Sequence, residues 1–403
     1  MPDVPPALPP LHAAWLGALT GVADPRSEPR ATCGDCVMCG GVARSGSSVT
    51  FSPALKCCSY VPHLANFLAG RALAGPGRGS VLDRIAGRGG VTPLGLGLRH
   101  DDVRRMVGAR SHFGRSAAVR CPHFDDATQG CGIWETRNAV CSTWFCQHGR
   151  GAVGQRFWHA VRDLLIAAEE QVARHCLDAG GLPAEQVDAV VEHRATVRET
   201  VRRANAGDDV ATAEVDDESP QWFARMWGAW QGREEEWFAR CADTMARLPD
   251  GDLPGRLVGV GRLVEDVVRR SADLTRHDLP ERLLFTPGAG SEASTDVLRL
   301  VGYSPFDPLV LPAGLEPGLW LLDGRPVADV LAGIDPSRPT SLDVDVLRRL
   351  LDFGVAEATG ADVDLLAQES DGRRLLVLDD GRRLDLDGGL DLDEDRGEDV
   401  VLG

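Results

Sequence analysis

The chain has 403 residues, 43% of them hydrophobic and 26% charged, the proportions of a globular protein, with length for two to four domains at about 100–200 residues each. Its formal charge of −17 argues against a general affinity for nucleic acid or an anionic membrane, and no apolar run approaches the roughly 18 residues of a membrane helix. The first basic residue is Arg26 and the apolar stretch Leu11–Leu19 has no positive leader, which predicts a cytoplasmic location. In a reducing compartment the eleven cysteines read as metal ligands or redox groups before disulfides.

Taken in chain order, residues 1–30 hold seven prolines and predict an extended arm with one short helix near Leu11–Leu19. Residues 31–150 are rich in Gly and Cys, with few periodic runs. Tyr60–Leu73 and Asp101–Ala109 are the best short helices there, and Gly75–Gly79 and Gly87–Gly90 read as loops. This stretch carries 13 Arg and one Lys against six Asp and one Glu, a net of +7, which leaves −24 for the remainder. Gathered thiolates need nearby cations, and Arg keeps its charge in every environment. Arg110, Arg115 and Arg120 are candidates for that work, or for holding a carboxylate. Lys56, the only lysine, precedes Cys57.

After Gly151 the pattern turns helical, with Phe157, Val161, Leu165, Ala168, Val172 and Cys176 on one face and Gly180-Gly181 as a stop. Pro183 opens a second helix to about Asn205. Ser219-Pro220 starts a third that carries Trp222, Phe223, Met226, Trp230, Trp237, Cys241 and Met245, and a fourth runs from about Pro254 to Thr275. Cys176 and Cys241 lie on these apolar stripes and read as core thiols. Residues 281–388 then give helix patterns at Val327–Ala332 and Leu342–Phe353, followed by alternating runs from Arg374 to Leu386 around Asp380-Gly381 as in a hairpin. Helix, helix and hairpin predict a winged-helix-like module, and its acidic balance favours a protein contact over DNA. Residues 389–403 read as a solvated acidic tail. The fold class expected is mainly α, with an irregular Cys-rich metal-binding domain at 31–150, a helical domain at 151–280 and the α+β module at the C-terminal end.

Nine cysteines carry the chemistry: Cys33, Cys36 and Cys39, the vicinal pair Cys57-Cys58, then Cys121 and Cys131, and finally Cys141 and Cys146. Two-residue spacers let thiolates reach one metal from a tight turn. Nine exceed the four ligands of one tetrahedral zinc or one cubane cluster, so two centres, or one centre with redox-active cysteines, are both open. His63, His123 and His148 lie near these cysteines in sequence, as substituted ligands, proton carriers or supporting groups.

The run CPHFDDATQGCGIWETRNAVCSTWFC, residues 121–146, resembles the second half of the YkgJ-type zinc- or iron-chelating proteins, where a Cys, a loop, C-x-I-Y-x-x-R-P and C-x-x-x-x-C recur. Cys121, Cys131, Ile133, Trp134, Arg137, Cys141 and Cys146 occupy those places, with Trp for Tyr and Asn138 for Pro. The family's first half, C-x-x-C-x-x-C-C, is matched through Cys33, Cys36 and Cys39, with the pair Cys57-Cys58 displaced by an insertion of about 17 residues. The resemblance implies a cysteine-bound centre, often taken to be an iron–sulfur cluster; one or two 4Fe-4S clusters are expected here, with zinc as the alternative. Some relatives resemble flagellin lysine methylases, which implies a route to S-adenosylmethionine chemistry. The C-terminal module resembles the small peptide-recognition winged helices of peptide-modification systems, which implies a protein or peptide partner. Two readings follow: an enzyme that modifies such a partner by redox or methyl-transfer chemistry, and a non-catalytic, zinc-stabilised scaffold.

Overall fold

The computed structural model describes residues 8–22, 36–40, 49–108, 112–206, 219–248, 252–288, 291–333, 342–359, 367–368, 374–377 and 383–385. Its spine is the helix Gly151–Gly180, which buries Phe157, Trp158, Val161, Leu164, Leu165, Ala168, Val172 and Cys176 along one face. It stops where the sequence predicts: Gly181 takes a left-handed φ of 70° and its N–H returns to the last carbonyls. Against the spine pack Asn66–Leu73, Glu234–Ala246 and Gly261–Thr275, and the helix Ala184–Asn205 follows in sequence. The closest approach is between Asn66–Leu73 and Glu234–Ala246, where a Cβ on Gly70 would stand 1.9 Å from the Phe238 carbonyl oxygen. Only glycine lets the two backbones meet there. Two indoles bond across the same core, Trp227 Nε1 to Val91 O at 3.1 Å and Trp237 Nε1 to Pro93 O at 2.9 Å.

The elements depart from the sequence reading in four places. The Trp-rich third helix is two, Pro220–Trp227 and Glu234–Ala246, because Gly228 at φ 50° turns the chain against Gln186. The fourth also breaks, into Leu253–Arg256 and Gly261–Thr275, with Gly259 at φ 75° between them. Between the loops read at Gly75–Gly79 and Gly87–Gly90, and reaching into both, lies the helix Arg78–Gly87. The N-terminal segment holds the short helix expected near Leu11–Leu19, at Pro10–Thr20, but it is not an extended arm: Trp15 and Leu16 enter the same core as Phe67, Trp158 and Val172. One hydrophobic core therefore runs through residues assigned by composition to the arm, the Cys-rich stretch and the helical stretch.

The C-terminal residues have a separate core built from Leu283, Leu300, Leu311, Leu319, Leu347, Leu350 and Val355. Arg282–Phe285 pairs antiparallel with both Asp323–Pro326 and Ala356–Ala358, and a second sheet joins Glu292–Ala293, Val297–Leu300 and Leu309–Pro312. These strands were not read from the sequence. The helices Val327–Ala332 and Val344–Asp352 lie within the predicted patterns, the second capped by Asp343 Oδ1 on Val346 N at 2.7 Å. Arg374–Val377 and Arg383–Asp385 pair antiparallel as the hairpin reading expects; the turn at Asp380-Gly381 and the acidic tail lie outside the described residues. The described residues are mainly helical, with small antiparallel sheets. None of their helices is long and apolar enough to cross a membrane.

Candidate functional site

Four separate chain segments bring thiols to one place. A single 3-10 turn at Val37–Cys39 closes the bond from Cys39 N to Cys36 O at 3.0 Å, and Phe51 N donates to Met38 O at 2.9 Å, which ties this turn to the segment that leads to Cys57-Cys58. Cys121 N donates to Cys58 O at 2.7 Å, so the backbone sets the second group beside the vicinal pair. A two-residue strand pair then folds Cys131 back opposite Phe124, and His123 N points at Cys121 Sγ at 3.4 Å. Cys141 sits in the short helix Ala139–Thr143, whose first turn is capped by Asn138 Oδ1 on Cys141 N at 2.9 Å. Here Asn supplies a cap where the resembling family has Pro.

Cys57, Cys58, Cys121, Cys131, Cys141 and Cys146 line one cavity of about 400 Å³. Its other walls are mostly apolar and aromatic: Phe113, Trp134, Trp144 and Phe145 from the Cys-rich stretch, with Tyr303 and Phe306 from the C-terminal unit. Phe113 packs edge-on against both Phe51 and Trp144, and Phe51 in turn meets Phe306. Cys36 and Cys39 adjoin this cavity, since each acts on the charge state of Cys146, and Cys39 also feels Cys57. Cys33 lies outside the described residues. Cys176 and Cys241 stand apart in the helical core, each 1% exposed, as the apolar stripes predict.

The thiols are electrostatically crowded. Burial, then the neighbouring thiols, pushes Cys141 and Cys146 well above the usual thiol range, and Cys121 and Cys39 are pushed up to about 12, by burial first in each case. Cys57 goes the other way, lowered to about 7 by the hydrogen bond from the Cys58 thiol and, against its own burial, by Arg137 and Lys56. Cys58 is raised by that same bond. Apart from Cys57, such a set holds its protons until a cation replaces them.

Among the described residues no group of three or more His, Cys, Asp or Glu side chains is arranged to hold a metal ion. The chemistry of the donor set nevertheless fits a thiophilic centre: eight described cysteines share or adjoin one cavity, and two cations face them. Arg137 is buried, donates Nε–H to Trp134 O at 2.9 Å and lies 3.5 Å over the Trp134 ring. Lys56 is buried at a left-handed φ of 54°, and its ammonium donates to Gln129 O, itself on a residue at φ 51°. Two residues without the freedom of glycine accept that region to hold a cation against the thiols. Two buried polar groups lie on the cavity wall, the Tyr60 hydroxyl without a hydrogen-bond partner and Trp144 Nε1 with the Cys146 thiol beside it. A thiolate or a bound group would satisfy both.

Of the arginines read as charge compensators, Arg120 instead pairs with Asp126 at the surface, over the Phe124 ring, and Arg115 is exposed. Arg110 lies outside the described residues. The histidines also separate. His148 lines the cavity, with its backbone N on Asp307 Oδ2 at 2.9 Å and Nδ1 3.1 Å from the Tyr303 hydroxyl, which donates to the same carboxylate. His123 is buried against Ser80 Oγ at 2.8 Å, outside the cavity lining, and His63 faces a second cavity. Burial lowers all three, His148 and His63 to about 3 and His123 to about 4.

Sequence reasoning did not find Tyr303, Phe306 and Asp307, which come from about 160 residues beyond the last clustered cysteine and carry no local motif. It also passed over Gln155, His159 and Arg162, which line the cavity from the spine helix. Their i, i+4, i+7 spacing is a polar stripe beside the apolar one and was a readable signal. Set against protein-family models, curated proteins and solved structures, the chain matches none of them.

Proposed function

We propose that the protein carries a metal–thiolate centre at the floor of the aromatic cavity and uses it on a protein or peptide partner. The observation that carries the reading is the convergence of six cysteines, from three sequence groups, on the wall of one cavity of about 400 Å³. Cys58, Cys121, Cys131 and Cys141 would form one ligand set, since these thiols act on one another's charge. Cys36, Cys39 and Cys146 would contribute to another, with Cys57 between them. The centre would be one or two 4Fe-4S clusters, with zinc the alternative, since thiolates satisfy either. When bound, a cluster supplies one-electron redox chemistry, or a site for S-adenosylmethionine.

The chain's own residues prepare the cavity for such chemistry. Phe113, Trp134, Trp144, Tyr303 and Phe306 exclude water, which strengthens every electrostatic contact inside. Lys56 and Arg137 offset thiolate charge. The linked groups Asp307, Tyr303 and His148 can pass a proton between the cavity wall and the C-terminal unit. That unit, read as winged-helix-like, is the one that would receive the partner, and its residues Tyr303, Ser304 and Phe306 already form part of the cavity wall.

Metal and acid-labile sulfide content, with a visible spectrum, on protein purified without oxygen tests the proposal. Iron with matching sulfide and a broad visible band is the expected result. Zinc without sulfide moves the weight to the second reading, a scaffold held together by its metal, and absence of both metals after anaerobic purification overturns both.

A further inference from the structure

We propose that a second cavity, back to back with the thiol cavity, binds a small organic monoanion with an apolar body. The cavity holds about 350 Å³ between the spine helix and the helix Ala184–Asn205, within the size range of small-molecule sites. Its floor is apolar, built largely from Leu94, Leu98, Ile166, Val197 and Val201. At one side stand Arg194 and Arg198, one helical turn apart, and both direct a guanidinium at a single oxygen of Glu170, Oε1. Two cations on one carboxylate oxygen leave the wall with an excess of positive charge and spare N–H donors.

The other carboxylate there, Glu169, is already engaged: its Oε1 accepts from Ala139 N at 2.7 Å and stands 2.9 Å from His12 Nε2. The imidazole of His63, driven down to about 3 by burial and then by Arg194, Arg198 and Arg84, stays neutral on this wall. A carboxylate on an apolar tail satisfies both walls, with its head on the arginine pair and its body on the floor. The reverse charge meets two guanidiniums. The place of the site gives it meaning: Val140 lines both cavities, and Asn138, on the wall of this one, caps the helix that carries Cys141. A bound acid therefore lies one side chain from the thiols, where a second substrate or an effector of that centre would sit.

The test reads binding alone and is made on the full-length protein as purified, with the metal it holds. 4-Phenylbutyrate and 4-phenylbutanamide, equal in shape and different in charge, are titrated into the full-length protein by calorimetry. The acid is expected to bind and the amide to bind at least tenfold more weakly. Arg198→Gln, at a side chain 59% exposed and so safe for folding, weakens the acid by about tenfold, the effect of one charge-assisted contact. Glu170→Gln releases both guanidiniums and tightens the acid about fivefold while leaving the amide unchanged. Arg162→Gln, on the wall of the thiol cavity, changes neither. Equal binding of acid and amide, no binding of the acid, or an Arg162→Gln effect equal to that of Arg198→Gln would each overturn the proposal. A loss of affinity in Glu170→Gln would do the same, because a purely structural role for the Glu170 cluster predicts loss in every variant.

Discussion

The contact that holds the C-terminal unit against the thiol cavity can be broken at one residue, Asp352. Its carboxylate takes both edges of the Arg150 guanidinium, Nε on Oδ2 at 2.5 Å and Nη2 on Oδ1 at 2.7 Å, and Arg348 Nε stands 3.8 Å from Oδ2. The Asp352 side chain is 8% exposed and that of Arg150 18%. Removing one member of a buried pair costs about 3–5 kcal/mol, because the other charge stays behind unpaired. Partial hydration of Arg150, and its remaining bond to Leu274 O at 2.5 Å, bring the expected cost of Asp352→Ala to about 3 kcal/mol. Arg150→Ala costs less, about 2 kcal/mol, since Asp352 keeps Arg348. The double variant falls short of the sum by about 1–2 kcal/mol, the coupling of residues in direct contact. Urea unfolding of all four proteins, read at the first transition, measures these terms. An Asp352→Ala cost under about 1 kcal/mol, or strictly additive variants, would refute the argument that this buried pair fixes the C-terminal unit in place.

Other outcomes follow from the same geometry. Burial raises Asp307 from the ordinary 3.8 to about 6, so the stabilisation given by its protonated form is full below about 3.8 and lost as pH rises through about 6. The stability of wild type relative to Asp307→Asn should fall by about 3 kcal/mol across that window and stay level above it; a flat difference in denaturation measured from pH 4 to 7 would contradict this. Trp15, 2% exposed in the main core, should cost about 3–5 kcal/mol when cut to Ala, whereas an N-terminal segment detached from the core would cost almost nothing in the same thermal or urea assay. Cys36→Ser and Cys141→Ser should lose bound metal and soluble yield together, because metal binding is coupled to folding. Cys176→Ser should lose neither, and metal analysis of the three purified variants decides it. Trp134 and Trp144, both on the cavity wall, should be quenched when metal is restored to stripped protein; unchanged emission would count against a centre there.

Local rules and composition determined a good part of this molecule. Apolar periodicity with Gly180-Gly181 as a stop fixed the spine helix, because a helix face and a left-handed cap are written within a few residues of each other. The same logic separated Cys176 and Cys241, which sit on apolar stripes, from the cysteines in knuckle-like turns. The resemblance of residues 121–146 to a chelating family marked out Trp134 and Arg137, which stack at the thiol cavity. What the sequence left undecided is whatever depends on distant partners. The breaks at Gly228 and Gly259 are tertiary, since each glycine has positive φ in a stretch whose periodicity would run on. The C-terminal strands are short and their pairing is non-local, so alternation alone does not reveal them. Most of all, tertiary packing chose the walls of the two cavities. Tyr303 and Phe306 reach the cysteines because distant residues pair, Arg150 with Asp352, His148 with Asp307 and Phe51 with Phe306, and the arginine pair on Glu170 exists because two helices lie side by side. A sequence names the groups that can do chemistry, and the fold sets which of them share one dry space.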